Sequence, residues 1–168
     1  MELGKALDTA LEFEKKGFKI YIDAAKNTEN DIVRKTFEYL AGEENNHIED
    51  IKEYIEKTSP DFELRGDKLP EVKKRFNKII GGLEKTTELS DDDIEAHEAG
   101  MRFEKEAYVF YKDQLEKTDD EDAKKFFKFL MEQEEAHYEL IEKTYDYIKN
   151  PEGWYAEEEG WIEEGGGM

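Results

Sequence analysis

The chain has 168 residues, 45 of them acidic against 25 basic, and a formal net charge of -20. A polyanion of this kind repels nucleic-acid phosphates and anionic lipid, so neither nucleic acid nor a membrane is expected as a partner. With no cysteine, disulfides, thiolate nucleophiles and cysteine-held zinc or iron–sulfur centres are excluded, and any metal must be held by His, Asp or Glu. No apolar run approaches the roughly 20 residues of a membrane span, and the opening MELGKALDTALEFEKK lacks the basic-then-apolar order of a signal peptide. A cytoplasmic location is the expectation. The 10 Phe, 9 Tyr and 2 Trp recur at helical spacing and argue for a folded chain despite its charge.

Proline is confined to Pro60, Pro70 and Pro151, which leaves two long stretches free to be helical. Each is broken by one turn signal, Asn27-Thr28-Glu29-Asn30-Asp31 in the first and Thr118-Asp119-Asp120-Glu121 in the second, with Thr as the expected cap and an acidic residue three later. Each stretch therefore reads as a helical hairpin. The four helices are expected at 2–27, 29–57, 91–117 and 119–149, the third capped by Ser90 and the fourth stopped at Asn150-Pro151. Between the hairpins a short helix should open at Pro70, place Val72, Phe76 and Ile79 or Ile80 on one side, and end at Gly81-Gly82. A helix of about 27 residues spans about 40 Å, and the segment 58–90 is long enough to travel back along it. Two hairpins joined by one long crossover define an all-α, ferritin-like four-helix bundle. It occupies residues 1–149, followed by a C-terminal extension over 150–168. The extension, with Trp154, Tyr155, Trp161 and Ile162, is expected to pack on the bundle end or on a partner subunit of a homodimer or higher homo-oligomer, its last four residues disordered.

Sliding the sequence on itself by 90 residues aligns Phe13 with Phe103, Glu14 with Glu104, Tyr21 with Tyr111, Phe37 with Phe127, Leu40 with Leu130, Glu44 with Glu134 and His47 with His137, without a gap. The hairpins thus read as duplicated copies related by a pseudo-twofold axis. Glu14 and Glu44 lie at equal distances before and after the first turn, about 22 Å from it at helical rise, and Glu104 and Glu134 repeat this in the second hairpin. The seam at alternating steps of three and four runs through Leu3, Leu7, Ala10, Glu14, Gly17, Tyr21 and Ala24 in the first helix, and through Val33, Phe37, Leu40, Glu44, His47, Ile51 and Tyr54 in the second. His97, Gly100, Glu104, Ala107, Tyr111 and Gln114 continue it in the third helix, and Ala123, Phe127, Leu130, Glu134, His137, Ile141, Thr144 and Ile148 in the fourth. Its only charged positions are the four glutamates.

Four carboxylates buried together lose several kcal/mol of hydration each and repel one another, so they must be protonated or neutralised. Two divalent ions balance four carboxylates and two neutral imidazoles completely. Glu44 with His47, and Glu134 with His137, stand three residues apart on one helix face and can each chelate one centre. One Glu from each of two helices plus Glu-x-x-His from the other two is the carboxylate motif of ferritin-like di-iron and di-manganese proteins. Oxygen and imidazole ligands suit iron or manganese, and zinc could occupy the same cage. Tyr21 and Tyr111 lie two turns along the seam from Glu14 and Glu104. They read as core rings with the hydroxyl on a polar group, or alternatively as groups that hold a ligand carboxylate or stabilise a bound oxygen intermediate. His97, with Ile94 rather than Glu at minus three, reads as a satisfied core histidine.

The runs Glu14-Lys15-Lys16-Gly17-Phe18-Lys19-Ile20-Tyr21 and Glu43-Glu44-Asn45-Asn46-His47, with Glu104-Lys105-Glu106-Ala107-Tyr108-Val109-Phe110-Tyr111 and Glu134-Glu135-Ala136-His137, resemble the di-iron domain of the rubrerythrin family. The resemblance covers residues 2–149. It implies two iron ions and a non-haem oxidoreductase that reduces hydrogen peroxide, or dioxygen. Rubrerythrins usually carry one more ligand Glu a turn beyond the glutamate of the third helix, where this chain has Ala107, with Gly17 at the symmetric position. The cysteine-bound rubredoxin iron that feeds such centres has no ligands here, so an external electron-donor protein is expected. The rival readings are a ferroxidase or iron-storage protein, a non-catalytic metal-binding bundle, and a hydroxylase with a substrate pocket at the small Gly17, Gly100 and Ala107.

Overall fold

The computed structural model describes residues 2–57, 72–81 and 88–150. Five helices account for nearly all of them: α1 (Leu3–Lys26), α2 (Asp31–Lys57), α3 (Val72–Gly81), α4 (Asp91–Lys117) and α5 (Glu121–Lys149). Pro70, Gly82 and the C-terminal extension beyond Asn150, all subjects of expectations above, lie outside the described residues.

The two hairpin turns are built alike, and each starts its second helix two residues later than the Thr signal predicts. Asn30 and Asp120 are the caps: the Asn30 Oδ1 accepts from the amides of Ile32 and Val33, and the Asp120 Oδ1 from those of Asp122 and Ala123. Thr28 and Thr118 instead turn their hydroxyls onto the amides of Asn30 and Asp120. A short Asx side chain satisfies two orphan helix donors at once, whereas the Thr hydroxyl is better placed for a local turn. The cap at Ser90 is as expected, a reciprocal box with Asp93.

Chain direction follows from the cross-helix pairs. Tyr111 pairs with Glu14 and Tyr21 with Glu104, so α1 and α4 run antiparallel. His47 approaches Glu134 while Tyr54 stacks on Phe126 at 5.0 Å, so α2 and α5 are antiparallel as well. Since each hairpin is itself antiparallel, α2 and α4 point the same way, and the segment between them must return along the full length of the bundle. That return is the ferritin-like crossover. α3, its described part, buries Phe76, Ile79 and Ile80 and packs on α5 and α2.

All but two of the seam residues are buried, Leu3 and Ala24 being half-buried. Aromatic layers lie on both sides of the acidic level. Tyr21 stacks on Phe37 at 5.6 Å, and the repeat-related Tyr111 on Phe127 at 6.4 Å, with nearly the same interplanar angle. These rings exclude water along the bundle axis, which is what makes the carboxylates between them so poorly hydrated.

Candidate metal centre

Glu14 comes from α1, Glu44 and His47 from α2, Glu104 from α4, and Glu134 and His137 from α5; none is more than 3% exposed. The structure brings all six together. Their ligand atoms fall into two overlapping sets in which every atom lies within 4.8 Å of the others: Glu14, Glu44, His47 and Glu134 form one, and Glu44, Glu104, Glu134 and His137 the other. Glu44 and Glu134 belong to both. Each Glu-x-x-His pair read from the sequence falls within one set, Glu44 with His47 and Glu134 with His137, and each of these glutamates also reaches across the axis into the other set. His47 Nδ1 stands 3.2 Å from Glu14 and 3.2 Å from Glu134, but 3.9 Å from Glu44 of its own helix. His137 Nδ1 is 3.3 Å from Glu44 and 3.6 Å from Glu104. The two imidazoles are nearly parallel, with centroids 5.6 Å apart.

Tyr111 donates a 2.6 Å hydrogen bond to Glu14 Oε1, and Tyr21 donates a short one to Glu104 Oε1. The two readings of these tyrosines therefore merge: they are core rings, and the polar group each hydroxyl meets is a carboxylate of the cluster. Each crosses between α1 and α4 and fixes one carboxylate oxygen of the cluster.

Several polar atoms of the cluster make no hydrogen bond although fully enclosed: both oxygens of Glu44 and of Glu134, Glu104 Oε2, and both ring nitrogens of His137, one of them an acceptor in the neutral ring. Buried acceptors are rarely left in this state, because each forfeits its hydration without replacement. Acceptors converging without donors are the arrangement that a cation satisfies, so the residues present fit a metal site. Without cations the acids respond by holding protons. Burial pushes the Glu104 carboxyl up to about 7, in spite of the hydrogen bond from Tyr21. Glu134 is raised well above the usual carboxylate range, by burial first and then by the charges of Glu104 and Glu14. Burial works against a charged His47, yet Glu14 and Glu134 on either side raise it well above an ordinary histidine; in His137 burial prevails and the value is lowered.

Behind the histidines lie two residues that the sequence reading did not single out. Gln133 Oε1 is 3.3 Å from His47 Nε2, and Glu43 Oε1 is 4.0 Å from His137 Nε2. Residues 43 and 133 are themselves equivalent under the 90-residue repeat, each preceding a cluster glutamate, and this is the signal that could have found them.

The small residues of the seam do not form a substrate pocket. A Cβ on Gly17 would sit 2.5 Å from the Phe103 ring, and one on Gly100 would be 3.2 Å from both Tyr21 and Ile141, so neighbouring side chains fill both positions. Ala107 is fully buried in the core. Space opens instead on the outer face of α4 and α5, where a groove of about 380 Å³ is lined by Glu104, Lys105, Tyr108, Glu134, Glu135 and Tyr138. His97 lies outside both ligand sets. Its Nδ1 pairs with the Asp93 carbonyl at 2.7 Å and its ring stacks on Tyr145 at 4.8 Å, while Nε2 has no partner, so it is a core histidine only half satisfied.

A bundle of two hairpins with a crossover, holding carboxylates and histidines from all four long helices in one dry cluster that could hold metal, is of the ferritin-like carboxylate class. The rubrerythrin family's sequence profile matches residues 5–145, and the chain belongs to that family. Comparison with curated proteins and with solved structures gives no match. Among the described residues no helix is long and apolar enough to cross a membrane.

Proposed function

We propose that this protein is a non-haem di-iron oxidoreductase of rubrerythrin type, reducing hydrogen peroxide, or dioxygen, with electrons from an external donor protein. The observation that carries the reading is the pair of overlapping ligand sets sharing Glu44 and Glu134. Two cations held by Glu44 and Glu134 in common would be able to act together on one small molecule. Glu14 and His47 would complete one ion's ligands, Glu104 and His137 the other's. When bound, two ferrous ions supply one electron each, the two that cleavage of an O–O bond consumes. Tyr21 and Tyr111 hold Glu104 and Glu14 in place as the charge at the centre changes. The groove beside Glu104 and Glu134 gives a small oxidant its approach, with Lys105 and Glu135 among its lining residues to relay protons from solvent.

The test is anaerobic. Protein loaded with ferrous iron is titrated with hydrogen peroxide, and the expectation is oxidation of two irons per peroxide, reversed by added reductant. Iron uptake and mineral growth far beyond two ions per chain would instead make it a ferritin-type store. Absence of any redox response would leave a structural metal bundle.

A further inference from the structure

The cluster obeys the internal repeat at every ligand and at both tyrosines, and breaks it immediately behind the histidines. His47 Nε2 faces the amide oxygen of Gln133 at 3.3 Å. The equivalent position behind His137 holds a carboxylate, Glu43, at 4.0 Å, and His137 Nε2 makes no hydrogen bond. Glu43 is buried and held in place: Tyr39 donates to its Oε1 and Asn46 to its Oε2, each at 3.1 Å. Between Glu43, Gln133 and His137 lies a cavity of about 20 Å³, lined also by Val72 and Arg75 of α3. A buried water needs roughly 10–15 Å³ and two or more polar partners, and this space offers both. The Arg75 guanidinium lies 4.3 Å above the Tyr39 ring, so the crossover helix is tied to the residue that orients Glu43.

We propose that Glu43 is a positioning residue that makes the two metal positions unequal, accepting from His137 Nε2–H directly or through one water in the cavity lined by α3, while Gln133 serves His47. The inference rests on the metal reading of the cluster. A carboxylate behind a ligand imidazole makes its metal-facing nitrogen a stronger donor than a neutral amide does, because the bond it accepts is charge-assisted. The His137 position should therefore load first. The crossover helix, in this account, contributes to the wall behind His137.

The experiment uses metal-free, ¹⁵N-labelled full-length protein titrated with Zn²⁺, following the ring nitrogens of His47 and His137 separately. In the wild type His137 responds with the first equivalent and His47 with the second. Glu43→Gln should lower the affinity of the first step about 10–100-fold and abolish the order. The exchange variant Glu43→Gln with Gln133→Glu should reverse it, a result that mere loss of packing cannot produce. If Glu43→Gln fails to fold, Gln133→Glu alone decides, with the two rings responding together as the expected result. Simultaneous response in the wild type, or an order unmoved by these substitutions, overturns the inference while leaving two ions bound. No zinc binding at all overturns the metal reading itself.

Discussion

Tyr111 of α4 donates a 2.6 Å hydrogen bond to Glu14 of α1, and the 90-residue repeat reproduces the contact in reverse between Tyr21 and Glu104. Two buried phenols thus tie the helices of opposite hairpins together at the level of the cluster. Tyr111→Phe keeps the ring and its stacking on Phe127, and removes only the donor. Metal affinity should fall about 10–100-fold with the fold intact, measured by Co²⁺ titration alongside circular dichroism. Equal affinity in the variant would remove Tyr111 from the centre.

The shared and unshared glutamates should separate by stoichiometry. Glu134 belongs to both ligand sets, so Glu134→Ala is expected to leave less than one ion bound per chain. Glu14 and Glu104 belong to one set each. Glu104→Ala should retain about one ion without unfolding the bundle, since it also removes a desolvated charge. Elemental analysis of purified protein distinguishes these outcomes, and unchanged loading in either variant contradicts the assignment.

Metal-free protein should become less stable as pH rises. Burial holds the Glu104 carboxyl at about 7 against 4.5 for the free group, so the folded state binds this proton more tightly than the unfolded one. The associated stability is fully present below pH 4.5 and is lost as pH climbs to about 7, amounting to about 3 kcal/mol at 1.36 kcal/mol per unit. Glu134 adds to the slope with the same sign. Thermal melts from pH 5 to pH 8 should show a falling midpoint that flattens in Glu104→Gln. The metal-loaded protein should show the opposite slope, because protons compete with the ions for the same ligands. A metal-free melt insensitive to pH over this window contradicts the account.

Two glycines should respond to alanine with opposite signs. Gly17→Ala drives a methyl against the buried Phe103 ring and should cost about 1–3 kcal/mol. Gly42 lies within α2 with nothing within 4 Å of the added carbon, so Gly42→Ala should stabilise by about 0.5–1 kcal/mol. Urea unfolding of the two variants checks both, and a stabilised Gly17→Ala would show that the Phe103 ring has room to move.

The helices, their seam and the level of the four glutamates were all legible before any coordinates. These features depend on spacing along a chain of constant rise, and a 90-residue repeat with no gap carries that spacing from one hairpin to the other. The caps were misplaced by two residues because Thr28 and Asn30 offer competing local bonds, and only the built turn shows which the backbone takes. Gly17 and Gly100 read as possible space because small side chains alone say nothing of what fills the room beside them. Phe103 and Tyr21 fill it.

What one chain of letters determined is the period of the helices and the membership of the buried acidic level, since both follow from how often an apolar or charged residue recurs. Which glutamates are shared, which carboxylate each tyrosine holds, and what stands behind each histidine were decided only when four helices met. Those relations join residues from 33 to 97 positions apart, and depend on the rotation of each helix about its own axis, which packing sets and sequence spacing leaves open.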